Sequence, residues 1–596
     1  MTTQKIRSSQ LITTYGPGAI IEAPGGPGVM RDIEGSGVFS GVGLSVTDFE
    51  ISDIRLSKRL GSVGLLRIPT NSEIGVPDEN GIYACIPFPD WSLCVPHDIL
   101  YKYDDRYGGC PNCPKMGSGK DRARSRSEAV PFVLACPDGH LDDIPWNRLI
   151  DHRSEKCPQR FLSWVGGGSS LRNVDIQCPE CRLSVNMGDV YRNSHPCSGR
   201  QPELGADRPG CSTRARVLQR NAANLRMVNT ATSLTIRPNE TVLHRILGTT
   251  VVSAVLVTNK PRSKSDLIVL LEELVRVDLM KPGLVTQVDS YPELEVTRAI
   301  VDSLGVRLSE AQMDDQFRLA ELIQLERAAI EGAPPSDRQS QDPPLFEVVR
   351  TAVRSITGPG GYTLRVTPVS RLMVTMAQIG YRRIDPVKSN SVEVQSRIQG
   401  RDWVPAVQIS GEGIFVDVEP KLTQQENRNN IEGLEVSAWL RRWGEDLDES
   451  LAWMSELGHS STHPLTVWWH TLSHSLITSI SLDSGYSAAA LKERIYTNLD
   501  PLAGPIRGGV LIFTAQPGGD GTLGGLIETS NRFEDVLKRA IHGIEHCSND
   551  PLCSQRSISD GSGNGAACYA CLFVSETSCE MRNLYLDRNL LRENLP

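Results

Sequence analysis

Apolar positions change their spacing several times along this chain. From residue 1 to about 105 they come in short runs, such as Val63-Gly64-Leu65-Leu66-Arg67-Ile68, bounded by glycines and prolines, which predicts brief strands joined by turns. Between about 265 and 335 they recur at intervals of three and four, and Asp266 to Leu274 and Gln316 to Leu325 each read as an amphipathic helix. Adjacent prolines in Gly332 to Pro344 then exclude a helix and suggest a surface linker. Beyond about 435 the pattern alternates between helix and strand. Val436, Trp439, Leu440 and Trp443 mark one helix, Val467 to Ile477 a second, and Gly509 to Thr514 a buried strand. That strand enters a glycine turn, Pro517 to Gly525, followed by an apolar-periodic helix through Leu537, and so predicts half of a βαβ unit.

Composition narrows the class. Hydrophobic residues make up 39% of 596, and no apolar run approaches the roughly 20 residues of a membrane span. The N-terminal stretch MTTQKIRSSQLITTYGPGAI has no continuous apolar core of the secretory kind, so a cytoplasmic protein without membrane contact is expected. The formal charge of −9 argues against coating nucleic acid through the overall field and leaves room only for a regional contact.

The fifteen cysteines change the picture most. In a long chain with no export signal, pairs at C-x2-C spacing favour thiolate–metal bonds over disulfides. Cys110 and Cys113, with Cys136 and His140, make a first candidate zinc set, and Cys157 competes with His140 as its fourth ligand. Cys178, Cys181, Cys197 and Cys211 make a second set of four thiolates. Cys568 and Cys571 anchor a third, completed by two of Cys547, Cys553 and Cys579. Cys85 and Cys94 have no close partner and read as core residues. About three structural zinc ions follow, each in a closed, thiolate-rich set rather than the open geometry that catalysis needs.

The resulting fold class is a mixed, multidomain α/β protein. A β-rich region spans 1–105, tandem zinc ribbons 106–215, a mixed middle region 216–434 with a helical insertion at about 265–345, and a C-terminal α/β domain with a zinc-binding end 435–596. Three further features carry chemistry more weakly. The Pro517–Gly525 turn lacks the Lys-Ser/Thr of a P-loop, so no NTP hydrolysis is expected, and a tight turn is simpler than a phosphate cradle. His470 and His474 share one helical face without an HExxH pattern and read as buried, hydrogen-bonded histidines before metal ligands. Lys115, Lys120, Arg122, Arg124 and Arg126 read as a solvated loop before a phosphate-contacting one.

Several segments together resemble a known family. Tyr15-Gly16-Pro17-Gly18-Ala19, Ala135-Cys136-Pro137-Asp138-Gly139-His140-Leu141, Gly411-Glu412-Gly413-Ile414-Phe415, Trp469-His470-Thr471-Leu472-Ser473-His474, Lys492-Glu493-Arg494-Ile495-Tyr496 and Ala567-Cys568-Tyr569-Ala570-Cys571 are similar to DrmB proteins, the helicase-associated components of DISARM anti-phage systems. The C-terminal third resembles a zinc-binding domain also found at the end of some DNA-repair helicases, and the run Cys579-Glu580-Met581-Arg582-Asn583 gives Cys579 weight as a ligand, with Cys547 or Cys553 spare. The resemblance implies a non-catalytic zinc subunit that partners a large helicase-like ATPase, DrmA, and binds DNA through that complex. Two other readings stay open: a metal-dependent nuclease or phosphodiesterase working at His470, His474 and Asp520, and a structural scaffold without DNA contact.

Overall fold

The computed structural model describes residues 8–596 except 24–25, 37, 40–45, 78–82, 103–109, 114–128, 153–156, 169, 206–209, 236–240, 312–318, 333–343, 386–387, 419–463, 499–506, 516–523, 557–562 and 576–577. The chain forms two compact units. Met1–Glu50, Val63–Ala231 and Met376–Val407 make the first; Ile51–Ser62, Thr232–Thr375 and Gln408–Pro596 make the second.

Short sheets, mostly antiparallel, build the first unit, and Ile20–Ala23, Gly26–Met30 and Cys85–Pro87 form one of them within residues 1–105, where the runs between turn formers predict brief strands. In one sheet the strand order is Ser184–Asn186, Val174–Gln177, Phe161–Gly166, Ile99–Lys102 and Trp91–Cys94. In another it is His195–Pro196, Arg214–Gln219, Phe132–Ala135 and Leu141–Asp142. Leu100, Leu134, Trp146, Leu162, Ile176 and Val217 pack into a common core, and Cys136, Cys157 and Cys178 are members of it. Arg383 is wholly buried in this unit. It donates to the carbonyls of Gly139 (2.8 Å), Leu225 (2.8 Å) and Gly18 (3.1 Å) and pairs with the buried Glu203 carboxylate at 3.7 Å, so backbone dipoles from three segments and one counter-ion share its charge.

In the second unit the helical middle segment occurs where the periodicity places it. Lys264–Arg276 starts at a capping box in which Ser263 and Asp266 each accept the other's backbone N–H, and its Leu267 and Leu271 pack with Val288, Val296 and Ala299 of the helices that follow. The C-terminal part centres on residues 408–418 and the strands Leu491–Asn498 and Arg507–Ala515. Arg507–Ala515 pairs antiparallel with both neighbours, Gly411 facing Ala515 and Leu491 facing Thr514. The half-βαβ expectation is therefore corrected: a helix, Gly525–Ser530, follows the strand, but the sheet around it is antiparallel. The linking segment 499–506 is too short for the crossover that a parallel neighbour needs.

Helix Pro464–Ser484 is buried at every residue from Pro464 to Ile477 and packs on both of those strands and on helix Phe533–Glu545. Its apolar residues surround it on all sides, so it is a core helix rather than a surface one. The expected helix at Val436 to Trp443, the proline linker at 333–343 and most of the glycine turn, with Asp520, lie outside the described residues. Among the described residues no helix is long and apolar enough to cross a membrane.

Candidate metal centres

Two of the candidate pairs, Cys136-x3-His140 and Cys178-x2-Cys181, sit on tight turns that end a strand. At Cys178 the strand Val174–Gln177 turns back into Ser184–Asn186, with Cys178 N–H donating to Leu183 O at 2.9 Å and Arg182 N–H to Cys178 O at 2.9 Å. At Cys136 the strand Phe132–Ala135 turns back into Leu141–Asp142; Gly139 N–H donates to Cys136 O at 3.0 Å and Cys136 N–H to His140 O at 3.1 Å. Gly139 holds this turn at φ +83°, and a Cβ there would meet Val392 Cγ2 at 2.0 Å. Only glycine fits both the angle and the space.

Strand pairing then decides which pairs meet. Ala135 lies opposite Arg216, and His195–Pro196 pairs with 214–215, so Cys197 and Cys211 are brought to Cys136 and His140. Gln177 lies opposite Ser163, which brings Cys157 from just before Phe161–Gly166 to Cys178 and Cys181, with His152 completing the group. Cys94 ends a strand and His97 sits in the turn after it; together they face Cys110 and Cys113. In the second unit Cys547 and Cys553 converge with Cys568 and Cys571.

The sets expected from the sequence are thereby regrouped. Cys110 and Cys113 converge with Cys94 and His97, not with Cys136 and His140, and Cys94 is not simply a core residue. Cys157 joins neither Cys110 nor Cys113, and Cys197 and Cys211 leave Cys178 and Cys181. Neither Cys547 nor Cys553 is spare; it is Cys579 that stands apart, 3.1 Å by its Sγ from His470 Nε2. Spacing along the chain cannot reveal this because the partners are chosen by hydrogen-bonded strands far apart in sequence. His97 and His152 were missed altogether. Cys94-x2-His97, with Cys110-x2-Cys113 downstream, has the spacing that identifies the first; His152 carries no comparable signal. Cys85 is half-buried in a strand, its Sγ 3.3 Å from Met30 Sδ, and belongs to no such group among the described residues.

The geometry fits an ion of zinc's size. A tetrahedral zinc puts thiolate sulfurs about 3.8 Å apart, and a sulfur and an imidazole nitrogen about 3.6 Å apart. Cys157 to Cys178, Cys553 to Cys571 and Cys568 to Cys571 are each 3.8 Å, and Cys547 to Cys568 is 3.5 Å. His97 Nδ1 lies 3.4, 3.6 and 3.4 Å from Cys94, Cys110 and Cys113, and His140 Nδ1 lies 3.3 and 3.6 Å from Cys136 and Cys197. Among the described residues His152 Nε2 is buried with no hydrogen-bond partner, as a ligand atom aimed at an ion would be. Three of the groups offer three thiolates and one imidazole, and the group in the second unit offers four thiolates; both are donor combinations of structural zinc.

Electrostatics point the same way. Burial opposes ionisation of Cys568, yet the Ala570 N–H, the Asn549 amide and neighbouring thiols outweigh it and hold that thiol down to about 7. Burial and adjacent sulfurs push Cys94 and Cys197 up to about 12. Packed thiols of this kind share few negative charges unless a cation draws the protons off. The basic residues Lys115, Lys120, Arg122, Arg124 and Arg126 lie outside the described residues.

Comparison with known proteins adds three findings. Residues 7–227 match a domain of unknown function (DUF8724). Residues 472–572 match the MrfA Zn-binding domain, a span that contains Cys547, Cys553, Cys568 and Cys571 and stops short of Cys579. Over 579 residues the chain is 26% identical to the DISARM protein DrmB of Bacillus paralicheniformis, an alignment covering 91% of this chain and 93% of that protein.

Proposed function

We propose, from the likeness to DrmB along nearly the whole chain, that this protein is the zinc-stabilised accessory subunit of a DISARM-type anti-phage complex. The observation that carries this reading is the set of four cysteine-rich groups among the described residues, each with four protein donors and so filled without the open position that catalysis needs. Zinc at these groups would hold short hairpins in fixed relation and supply rigidity, not a reacting centre. His470 and His474 are wholly buried, which suits a structural role better than contact with a nucleic-acid substrate. The complex would include a helicase-like ATPase that provides the motor. DNA would be bound through the assembly, with Lys115, Lys120, Arg122, Arg124 and Arg126 as a regional phosphate contact on an otherwise acidic chain.

Native purification of the tagged chain from its own cells, followed by mass spectrometry, elemental analysis and an ATP-hydrolysis assay, tests this. Expected are a co-purifying helicase-like ATPase, zinc at several ions per chain, and no turnover by the isolated subunit. A metal-free chain without that partner, or one that cleaves DNA alone with magnesium or manganese, contradicts it.

A further inference from the structure

His470 and His474 lie one helical turn apart on Pro464–Ser484, their rings perpendicular at 4.5 Å between centroids. The Nδ1 of His470 faces the carbonyl of Tyr585 at 3.3 Å, and that of His474 faces the carbonyl of Leu572 at 2.8 Å. A carbonyl only accepts, so each Nδ1 carries the proton, and in a neutral ring Nε2 is then a bare lone pair. Both Nε2 atoms point at Glu493 Oε1, at 3.0 and 3.3 Å, and that of His470 also lies 3.1 Å from Cys579 Sγ. Two imidazole lone pairs, a carboxylate oxygen and a sulfur thus converge on one point, in a place where both histidine side chains and that of Glu493 have no exposure.

Two arrangements relieve the repulsion. Protonating both rings leaves two imidazoliums against the Glu493 carboxylate, a net positive charge if Cys579 stays a thiol and two wholly buried ion pairs if it ionises, either of which is costly where the side chains have no exposure. A divalent cation balanced by the Glu493 carboxylate and the Cys579 thiolate leaves no net charge and gives every lone pair a partner. The surrounding bonds favour the second. The Ser473 hydroxyl donates to Glu493 Oε2 and leaves Oε1 free to ligate. The N–H groups of Met581 (3.3 Å) and Asn583 (3.2 Å) donate to Cys579 Sγ, which suits a thiolate. Carbonyls behind both imidazoles are the outer shell by which proteins orient metal-bound histidine.

We infer that His470 Nε2, His474 Nε2, Glu493 Oε1 and Cys579 Sγ bind a further divalent metal ion, of zinc's type by its donor set, as a closed structural centre within the second unit. It ties the buried helix to the strand Leu491–Asn498 and to the segment after the Cys547–Cys571 group. This centre is independent of the partner and of DNA, and of whether the four cysteine-rich groups are filled.

Anomalous scattering recorded above and below the zinc edge, on crystals of the full chain purified without added metal, tests it. A peak within bonding distance of all four atoms is expected. No peak there overturns the inference, and peaks at the cysteine-rich groups alone would do so while leaving the proposed function standing. Glu493→Gln and Cys579→Ser should each lower the zinc content by about one ion per chain; an unchanged content in a folded variant also overturns it. If neither variant folds, the wild-type peak decides.

Discussion

Thiols occupy different places in the two units. Cys136, Cys157 and Cys178 of the first unit are part of its apolar core, packed with residues such as Trp146, Ile176 and Val217. Cys547, Cys553, Cys568 and Cys571 of the second form a small cluster of their own, while that unit's sheet is covered by Leu372, Val374, Phe415, Leu511 and Phe513. A zinc-binding group can therefore be the centre of a fold or a clasp at its margin. The first kind supports strands too short to bury much apolar surface; the second fastens a terminal segment to a body that already has a core.

The largest consequence is an unequal response to losing one sulfur. Cys178→Ser should deprive the first unit of an ion whose binding contributes on the order of 10 kcal/mol, enough to abolish its folding. Cys568→Ser should also lose an ion but leave the second unit's sheet folded. Circular dichroism and limited proteolysis of the two variants check this; equal damage would erase the distinction.

A smaller effect tests what holds the second unit instead. Arg494 forms a bidentate pair with Glu326, its Nη2 2.8 Å from Oε1, and also meets Glu580 at 2.9 Å, with both Arg494 and Glu326 buried. Glu326→Ala leaves that guanidinium without its main acceptor and should cost about 3–5 kcal/mol in chemical denaturation. Zinc content should be unchanged. A loss of metal would mean that the sheet and the clusters are not separate supports.

Smaller again is the expected effect of Gly139→Ala. The left-handed backbone and the approach of Val392 should cost about 2 kcal/mol and loosen only the group at Cys136, His140, Cys197 and Cys211. Competition with a chromophoric chelator reads this as one ion released more readily than the rest.

How much of this was legible depends on the range of the interaction that fixes each feature. The helices Lys264–Arg276 and Pro464–Ser484 were readable because 3.6-residue periodicity and continuous apolarity are local. The candidate ligand residues were mostly readable for the same reason: a turn that aims two sulfurs at one point needs only four residues. Their grouping was not, because it rests on contacts such as Arg216 opposite Ala135. The antiparallel placement of Arg507–Ala515 was hidden likewise, since a strand and the helix after it look alike in either kind of sheet. Glu493 escaped notice as a partner of His470 because a single acidic residue in a strand carries no spacing signal at all.

Hydrogen exchange of the full chain before and after zinc chelation tests the central claim most directly. The account predicts that amides in Phe132–Ala135, Val174–Gln177 and Arg214–Gln219 lose protection, while those in Arg507–Ala515 keep it. Protection retained throughout the first unit after its zinc is gone, or lost first from the sheet of the second, would contradict it.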